Sequence, residues 1–527
     1  MSAALAVNFC MQKPEEQKPR RKQAFKVYQP TQALLIPPSF DEFIAKNHPV
    51  RVVAEVIENI DLNPLLEKYS GGGTSCHHPR MMLKILVYAY VSNIYSSRKI
   101  AAALKENIHF MWLAGKNTPD HNSINRFRSQ RLSSVLQKIF SQVVQLLAQE
   151  GHLSIKEIFT DGTKIEANAN RYTFVWAKTI QYNRERIKQQ LKELWEYSIK
   201  VAAAEMSDDA PPDFDQIDSE KVRQTIERIN EALKDKPVSK EIKQKLKYAE
   251  KNWADKIDEY EQQEEILDGR NSYSKTDTDA TFMRLKEDHM KNGQLKPAYN
   301  LQVSSSNQYI VTYSIHPNPT DTSTLPAHME VHKDLYNEAP EVVVADAGYG
   351  SEQNLAFLEQ ESVEAFVKHN YFDKDRKKSR TDKKPFTPGK LYYNKEEDYY
   401  VCPMGQHMHK IREGRQQTDN GYNRTISTYR AVNCVGCPLR GVCHKAEGNR
   451  TIQVSHEGNR LKQKATERLL TERGVAYRKK RCWDVEPVFA NLKQNKGFRR
   501  FMLRGKEKVA IEAGLLAIAH NLRKKAA

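Results

Sequence analysis

No run of apolar residues in this sequence approaches the roughly 20 needed to cross a bilayer. The most apolar stretch, MMLKILVYAYV (residues 81–91), is too short and carries Lys84, which suits a core helix. The first 25 residues hold a short apolar patch but no charged leader followed by a cleavage site. They read as a flexible tail, and the chain as cytoplasmic. Cysteine is scarce: Cys10, Cys76 and Cys482 are scattered, and only Cys402, Cys434, Cys437 and Cys443 cluster. An odd total with one tight group excludes a secreted disulfide framework and favours a metal site. Acidic residues are in deficit, with 66 Asp and Glu against 83 Lys and Arg and a formal net charge of +17. A polyanion is therefore the first partner to consider, ahead of an anionic membrane surface.

The 527 residues are enough for two to four domains. Residues 1–40 read as a flexible basic tail and residues 41–148 as an all-α domain. Within it, SRKIAAALKENIHFMWLAG has a cap at Ser97, and TPDHNSINRFRSQRL begins a further helix with Thr118 as cap and Pro119 in its first turn. Asn122, Asn125, Arg126, Arg128 and Arg131 fit either a helix-turn-helix touching DNA or a bundle with a solvated basic face. Residues 175–270 are long, charged helical stretches, read as a helical hairpin or coiled coil inserted as an arm. Strand and helix patterns over residues 149–370 imply a mixed sheet flanked by helices, completed by a helical, very basic segment at 456–527. Between these two pieces, residues 371–455 hold a basic linker and the cysteine cluster.

Three acids stand out. In IFTDGTKIEANANRY, Asp161 follows an apolar strand and precedes Gly162, a pairing that fits a tight turn or a charge held at a strand end. Asp346 closes the apolar strand VVVAD, where a carboxylate is costly unless paired or bound to a cation. Glu486 precedes Pro487, which puts it at a helix start, where the dipole favours its ionised form. At helical spacing Glu486, Ala490 and Lys493 share one face. Residues 478–508 hold eleven Lys or Arg against three acids, a tract suited to DNA phosphates. The four clustered cysteines have the spacing C-x31-C-x2-C-x5-C. They suit a closed tetrahedral Zn²⁺ site of structural type, with His407 and His444 as spare donors.

FTDGTKIEANANRY, KPAYNLQV, VVADAGYGSEQNLAFLE and VEPVFANLKQNKGFRRFMLRGKEKVAIEAGLLAIAHNLRK together resemble the core blocks of bacterial insertion-sequence DDE transposases. HHPRMMLKILVYAYVSNIYSSRKIAAALKENIHFMWLAG is similar to that group's helical N-terminal domain, so the resemblance spans most of residues 75–525. It implies a ribonuclease-H-like catalytic core with Asp161, Asp346 and Glu486 as an acidic triad. Asp161 would bridge two Mg²⁺ (or Mn²⁺) ions, with Asp346 and Glu486 each holding one. In the third-acid block Tyr477, Arg481 and Lys493 fill the family's tyrosine, arginine and lysine positions. Arg481 stands one residue further from Glu486 than the usual pattern, with Arg478 as its substitute. Arg499, Arg500 and Arg126 join these four as DNA-contacting residues. The activity implied is binding of terminal inverted repeats, metal-dependent cleavage and joining to target DNA, within at least a homodimer. The alternatives are a DNA-binding regulator with an unused nuclease core, or a ribonuclease-H-like nuclease without strand transfer.

Overall fold

The computed structural model describes residues 39–69, 76–203, 212–285 apart from 216, 293–375, and 386–527 apart from 419. Nearly all of the expected N-terminal tail and most of the basic linker lie outside these residues. Seven helices open the described chain: α1 (Pro49–Glu58), α2 (Asn63–Leu66), α3 (Pro79–Val91), α4 (Ser97–Glu106), α5 (Ile108–Leu113), α6 (His121–Arg126) and α7 (Leu136–Gln149). The cap expected at Thr118 falls instead on Asp120, whose carboxylate accepts from the backbone of Asn122 and Ser123.

A mixed six-stranded sheet follows, interrupted by helices. β1 (Glu157–Glu166) is succeeded by β2 (Phe174–Trp176), then by α8 (Ala177–Val201), α9 (Ser219–Ala232) and α10 (Lys240–Leu267). These three helices enclose a core of their own, built on residues such as Leu191, Trp195, Ile226, Ile229 and Trp253. The expected hairpin is thus a three-helix insertion, because Val222, Ile226 and Ile229 give α9 an apolar stripe to bury.

The chain returns through β3 (Ser272–Ser274), β4 (Thr281–Arg284), β5 (Leu295–Ser306) and β6 (Tyr309–His316). Then come α11 (Leu325–Tyr336), β7 (Val342–Ala345), α12 (Glu352–Gln360), β8 (Glu364–Val367) and the short α13 (Phe372–Asp375). The sheet order is β4-β5-β1-β7-β8, with β6 also pairing with β5. β1, β7 and β8 are parallel; β5 is antiparallel to β1 and forms a hairpin with β6.

Residues 388–455, expected to hold the cysteine cluster, build a second, five-stranded antiparallel sheet. Its strands are β9 (Tyr393–Asn394), β10 (Tyr399–Val401), β11 (His407–Gln417), β12 (Asn423–Ala431) and β13 (Thr451–Val454). Four helices close the chain: α14 (His456–Leu470), α15 (Glu472–Asp484), α16 (Glu486–Ala490) and α17 (Lys506–Lys525). Among the described residues no helix is long and apolar enough to cross a membrane.

α17 ties the molecule together. Its sequence VAIEAGLLAIAHNL is apolar nearly all round, as a helix buried on every side must be, and Val509 through Leu522 are almost wholly enclosed. It packs on β6, α3 and α7 at once. At Gly514 a Cβ would stand 2.3 Å from the Tyr313 hydroxyl and 2.8 Å from Leu136, so only glycine lets the helix approach both neighbours. The N-terminal helices and the large sheet therefore share one hydrophobic cluster rather than forming separate cores.

One polar contact within that shared core corrects an expectation. Arg128 is no surface cation: it is 3% exposed, and its guanidinium lies 3.7 Å from the fully buried Glu512 of α17. Glu512 also accepts from the Tyr90 hydroxyl and from the amides of Met502 and Leu503. Arg131 is likewise drawn inward, donating to the Lys68 carbonyl and stacking over Tyr69.

Candidate active site

β1 continues straight through Asp161 and Gly162 to Glu166, so the tight turn considered for this dipeptide is absent. Gly162 has no positive φ. Its glycine character answers a need for space instead. A Cβ there would lie 2.3 Å from Gln302 Nε2 and 2.5 Å from Asp321 Oδ1.

The last register pair between β1 and β7 is Thr160 with Ala345, so Asp161 and Asp346 follow side by side on adjacent parallel strands. Asp346 turns back to accept from the Gly348 amide at 2.7 Å and caps a short 3-10 turn. A single guanidinium bridges the pair: Arg481 Nη2, from α15, lies 3.1 Å from Asp161 Oδ2 and 3.5 Å from Asp346 Oδ2. Two carboxylates thus converge on one cation in a cleft where the Asp161 and Arg481 side chains are about 15% exposed.

Beneath this pair lies a network that strand patterning does not reveal. Asp321 Oδ1 accepts from Asn300 Nδ2 and Gln302 Nε2, both at 2.7 Å, and Gln302 in turn accepts from the Tyr349 hydroxyl. Burial first, then the charges of Asp321, Asp161 and Asp346, hold the Tyr349 phenol protonated far above its usual range, with Arg481 acting in the opposite sense. Asp321 is therefore a third carboxylate close to the two strand-borne acids. In the sequence it sits in HPNPTDTST, where a helix-capping role explains it equally well, so only β5's register across from Gly162 exposes its place.

Glu486 heads α16 and is exposed, and its carboxylate forms no hydrogen bond or ion pair among the described residues. Two residues earlier, Asp484 is buried and accepts from Ser305 Oγ and the amides of Asn307 and Gln308, pinning the end of α15 to the β5–β6 turn. Among the described residues no three His, Cys, Asp or Glu side chains are gathered closely enough to hold a metal ion. At the acids the physical reason is plain: the Arg481 guanidinium takes the central place. The chemistry of the donor set still fits a hard cation, since two carboxylates already hold a positive group between them.

The remaining expected DNA contacts divide. α16 gives way to a π turn over residues 491–495, which breaks the spacing that would keep Lys493 on the Glu486 face, and Lys493 is buried at 8% exposure. Tyr477 is buried against Phe159 and Phe366 and donates to Glu157 at 2.8 Å, at the opposite end of β1. Arg478 stacks over Phe372. Neither Lys493 nor Tyr477 presents an open face to a phosphate. Arg499 and Arg500 are exposed; their loop docks on the end of β1, where the Glu166 amide donates to the Arg499 carbonyl and the Glu166 carbonyl accepts from the Phe501 amide. Arg126 is exposed on α6.

The four clustered cysteines line one small cavity of about 20 Å³ with His444 and Arg450. Backbone amides of Gln406 and Arg450 donate to Cys402 Sγ and Cys434 Sγ at 3.3 and 3.4 Å. Arg450 Nη1 stands 2.8 Å from Cys443 Sγ. The sulfurs are not drawn together to ligand distance.

A transposase DDE domain family matches residues 401–526, and a transposase domain family (DUF772) matches residues 38–130. The two matches, over separate parts of the chain, support an insertion-sequence DDE transposase family. The first match holds Glu486 and the four clustered cysteines, whereas Asp161, Asp346 and Asp321 lie outside both. No curated protein and no solved structure matches the chain.

Proposed function

We propose that this chain binds the terminal inverted repeats of its element as double-stranded DNA, cleaves there with Mg²⁺ or Mn²⁺, and joins the free 3′ ends to target DNA. The observation that carries the reading is the pairing of Asp161 and Asp346 on adjacent parallel strands around Arg481. The strand order, three parallel strands with an antiparallel hairpin beside β1, supports a ribonuclease-H-like core. Bound divalent cations would activate the attacking oxygen and stabilise the leaving one. Asp161 and Asp346 would hold them as hard oxygen donors, with Glu486 as the third acid.

In this arrangement Arg481 neutralises the aspartates in the free protein and must leave them before the acids can serve. Glu486, exposed beyond the Asp484 anchor, then has to be carried toward the pair. Asp321, Gln302 and Tyr349 keep the floor of the site rigid and aligned. Arg126, Arg499 and Arg500 offer cations to the DNA backbone. We infer also that Cys402, Cys434, Cys437 and Cys443 hold a structural Zn²⁺. Cytoplasmic residence and a homodimer that pairs two DNA ends complete the reading.

The test is to mix purified chain with labelled terminal repeats and Mg²⁺, beside Asp161→Asn, Asp346→Asn and Glu486→Gln. Wild type should cut and join, while each variant binds without cutting. DNA that is bound but never cut by wild type would favour a regulator, and cut DNA without joined product a nuclease.

A further inference from the structure

We infer that the β11–β12 ribbon is a duplex-DNA arm that grips phosphates beside the candidate active site. The inference rests on the transposase reading and names a surface for it. Beyond a base where Tyr400, Met408, Tyr429, Ile452 and Val454 pack together, nearly every β11 residue from His409 to Gln417 is exposed. Residues 407–431 contain five Lys or Arg against Glu413 and Asp419. Lys410 is already paired, 2.9 Å from both Asp398 and Glu413. Arg424 is held by Gln416 at 3.0 Å. Arg412, Arg415 and Arg430 carry no ion pair among the described residues. Arg415 lies on the two-stranded arm, Arg412 at its root and Arg430 on the exposed side of the base where β12 pairs with β13; with no counter-charge among the described residues, these guanidinium groups call for an anionic partner.

The rest of the ribbon fits nucleic acid better than protein. Gln416, Gln417, Asn423, Thr425 and Thr428 are hydrogen-bonding side chains, whereas a protein interface needs an apolar centre that exposed Ile411 alone does not supply. The register pairs His409 with Arg430 and Arg412 with Thr428, which puts Arg412 and Arg430 on one face, while Arg415, paired with Thr425, stands on the other, so cations flank the ribbon on both sides. A bulge between Lys410 and Arg412 adds twist at the root, where β13 still pairs with β12; beyond it only β11 and β12 continue, and a twisted two-stranded ribbon is a shape a major groove admits. Position completes the case. Thr418, Asn420 and Tyr422 near the ribbon tip line a cavity of about 230 Å³ with Gly350, Ser351 and His369, just past Asp346. DNA lying across the aspartates reaches this tip.

Contacts of this kind are made to phosphates, so the arm should act on any sequence. The test uses the full chain and a random-sequence duplex, titrated between about 50 and 200 mM salt. The triple variant Arg412→Gln, Arg415→Gln, Arg430→Gln should flatten the slope of log affinity against log salt by about 2 to 3. The matching triple lysine variant should restore it, which a merely misfolded sheet would not allow. An unchanged slope in the glutamine variant overturns the inference. If wild type binds but never cuts, the transposase reading falls while the slope test still decides the arm.

Discussion

Replacing Gly162 with alanine separates the two meanings of the Asp-Gly pair. In an ordinary strand a glycine-to-alanine change stabilises by roughly 0.5–1 kcal/mol, because the unfolded chain loses freedom. Here the new methyl would meet Gln302 Nε2 at 2.3 Å, Asp321 Oδ1 at 2.5 Å and Asn300 Oδ1 at 3.1 Å. Gln302 and Asn300 are essentially inaccessible, so neither can swing into solvent. Either Asp321 gives up one of its two 2.7 Å bonds, or the β1–β5 pair spreads. A lost hydrogen bond to a charged group costs about 1.5–3 kcal/mol, and overpacking adds about 1–3 kcal/mol. Net destabilisation of about 3 kcal/mol is expected, concentrated in β1 and β5. Native-state hydrogen exchange of those strands should lose protection, and cleavage should fall at least tenfold with DNA binding retained. Protection equal to or above wild type would refute the reasoning, since it would mean the space beside Gly162 is free.

Removing Glu512 by mutation to alanine leaves Arg128 buried without its counter-charge and should cost about 3–5 kcal/mol, read by urea denaturation. A cost below about 1 kcal/mol would mean the pair is not coupled. Burial depresses His316 and His332 to about 4 and holds His328 well below its usual range. The unfolded chain therefore binds more protons below pH 6.5, and stability should decline as pH falls from about 6.5 to 4, by up to about 1.4 kcal/mol per unit per histidine. A flat stability curve across that window would contradict their neutral burial. Cys437→Ser should release one equivalent of zinc and loosen β10–β12 alone, as metal analysis and hydrogen exchange can check. Purified wild type that carries no zinc would remove the metal from the account.

Much of this organisation was legible along the chain. The apolar strand segments leading into Asp161 and Asp346, the β5–β6 pair, the charged insertion and the basic C-terminal helices all follow from local period and composition, which depend on near neighbours in sequence. The even choice between a DNA-reading face and a bundle on the second N-terminal helix resolved against Arg128, because its charge answers Glu512, which is remote in the chain. Lys493 was misplaced for a different reason: a π turn changes the helical period, and no residue pattern in NLKQN announces it.

Residue types and their order are enough to specify the chemistry on offer: two strand-borne acids, a third before a proline, and a surplus of cations. Tertiary packing alone decided that Arg481 rather than Arg478 reaches the acids, that Asp321 joins them from a separate loop, and that glycine beside Asp161 serves clearance instead of a bend. Such outcomes turn on distances between segments more than a hundred residues apart. Hydrophobic periodicity carries no record of those distances, because it reports only which face of an element is buried and never what lies opposite.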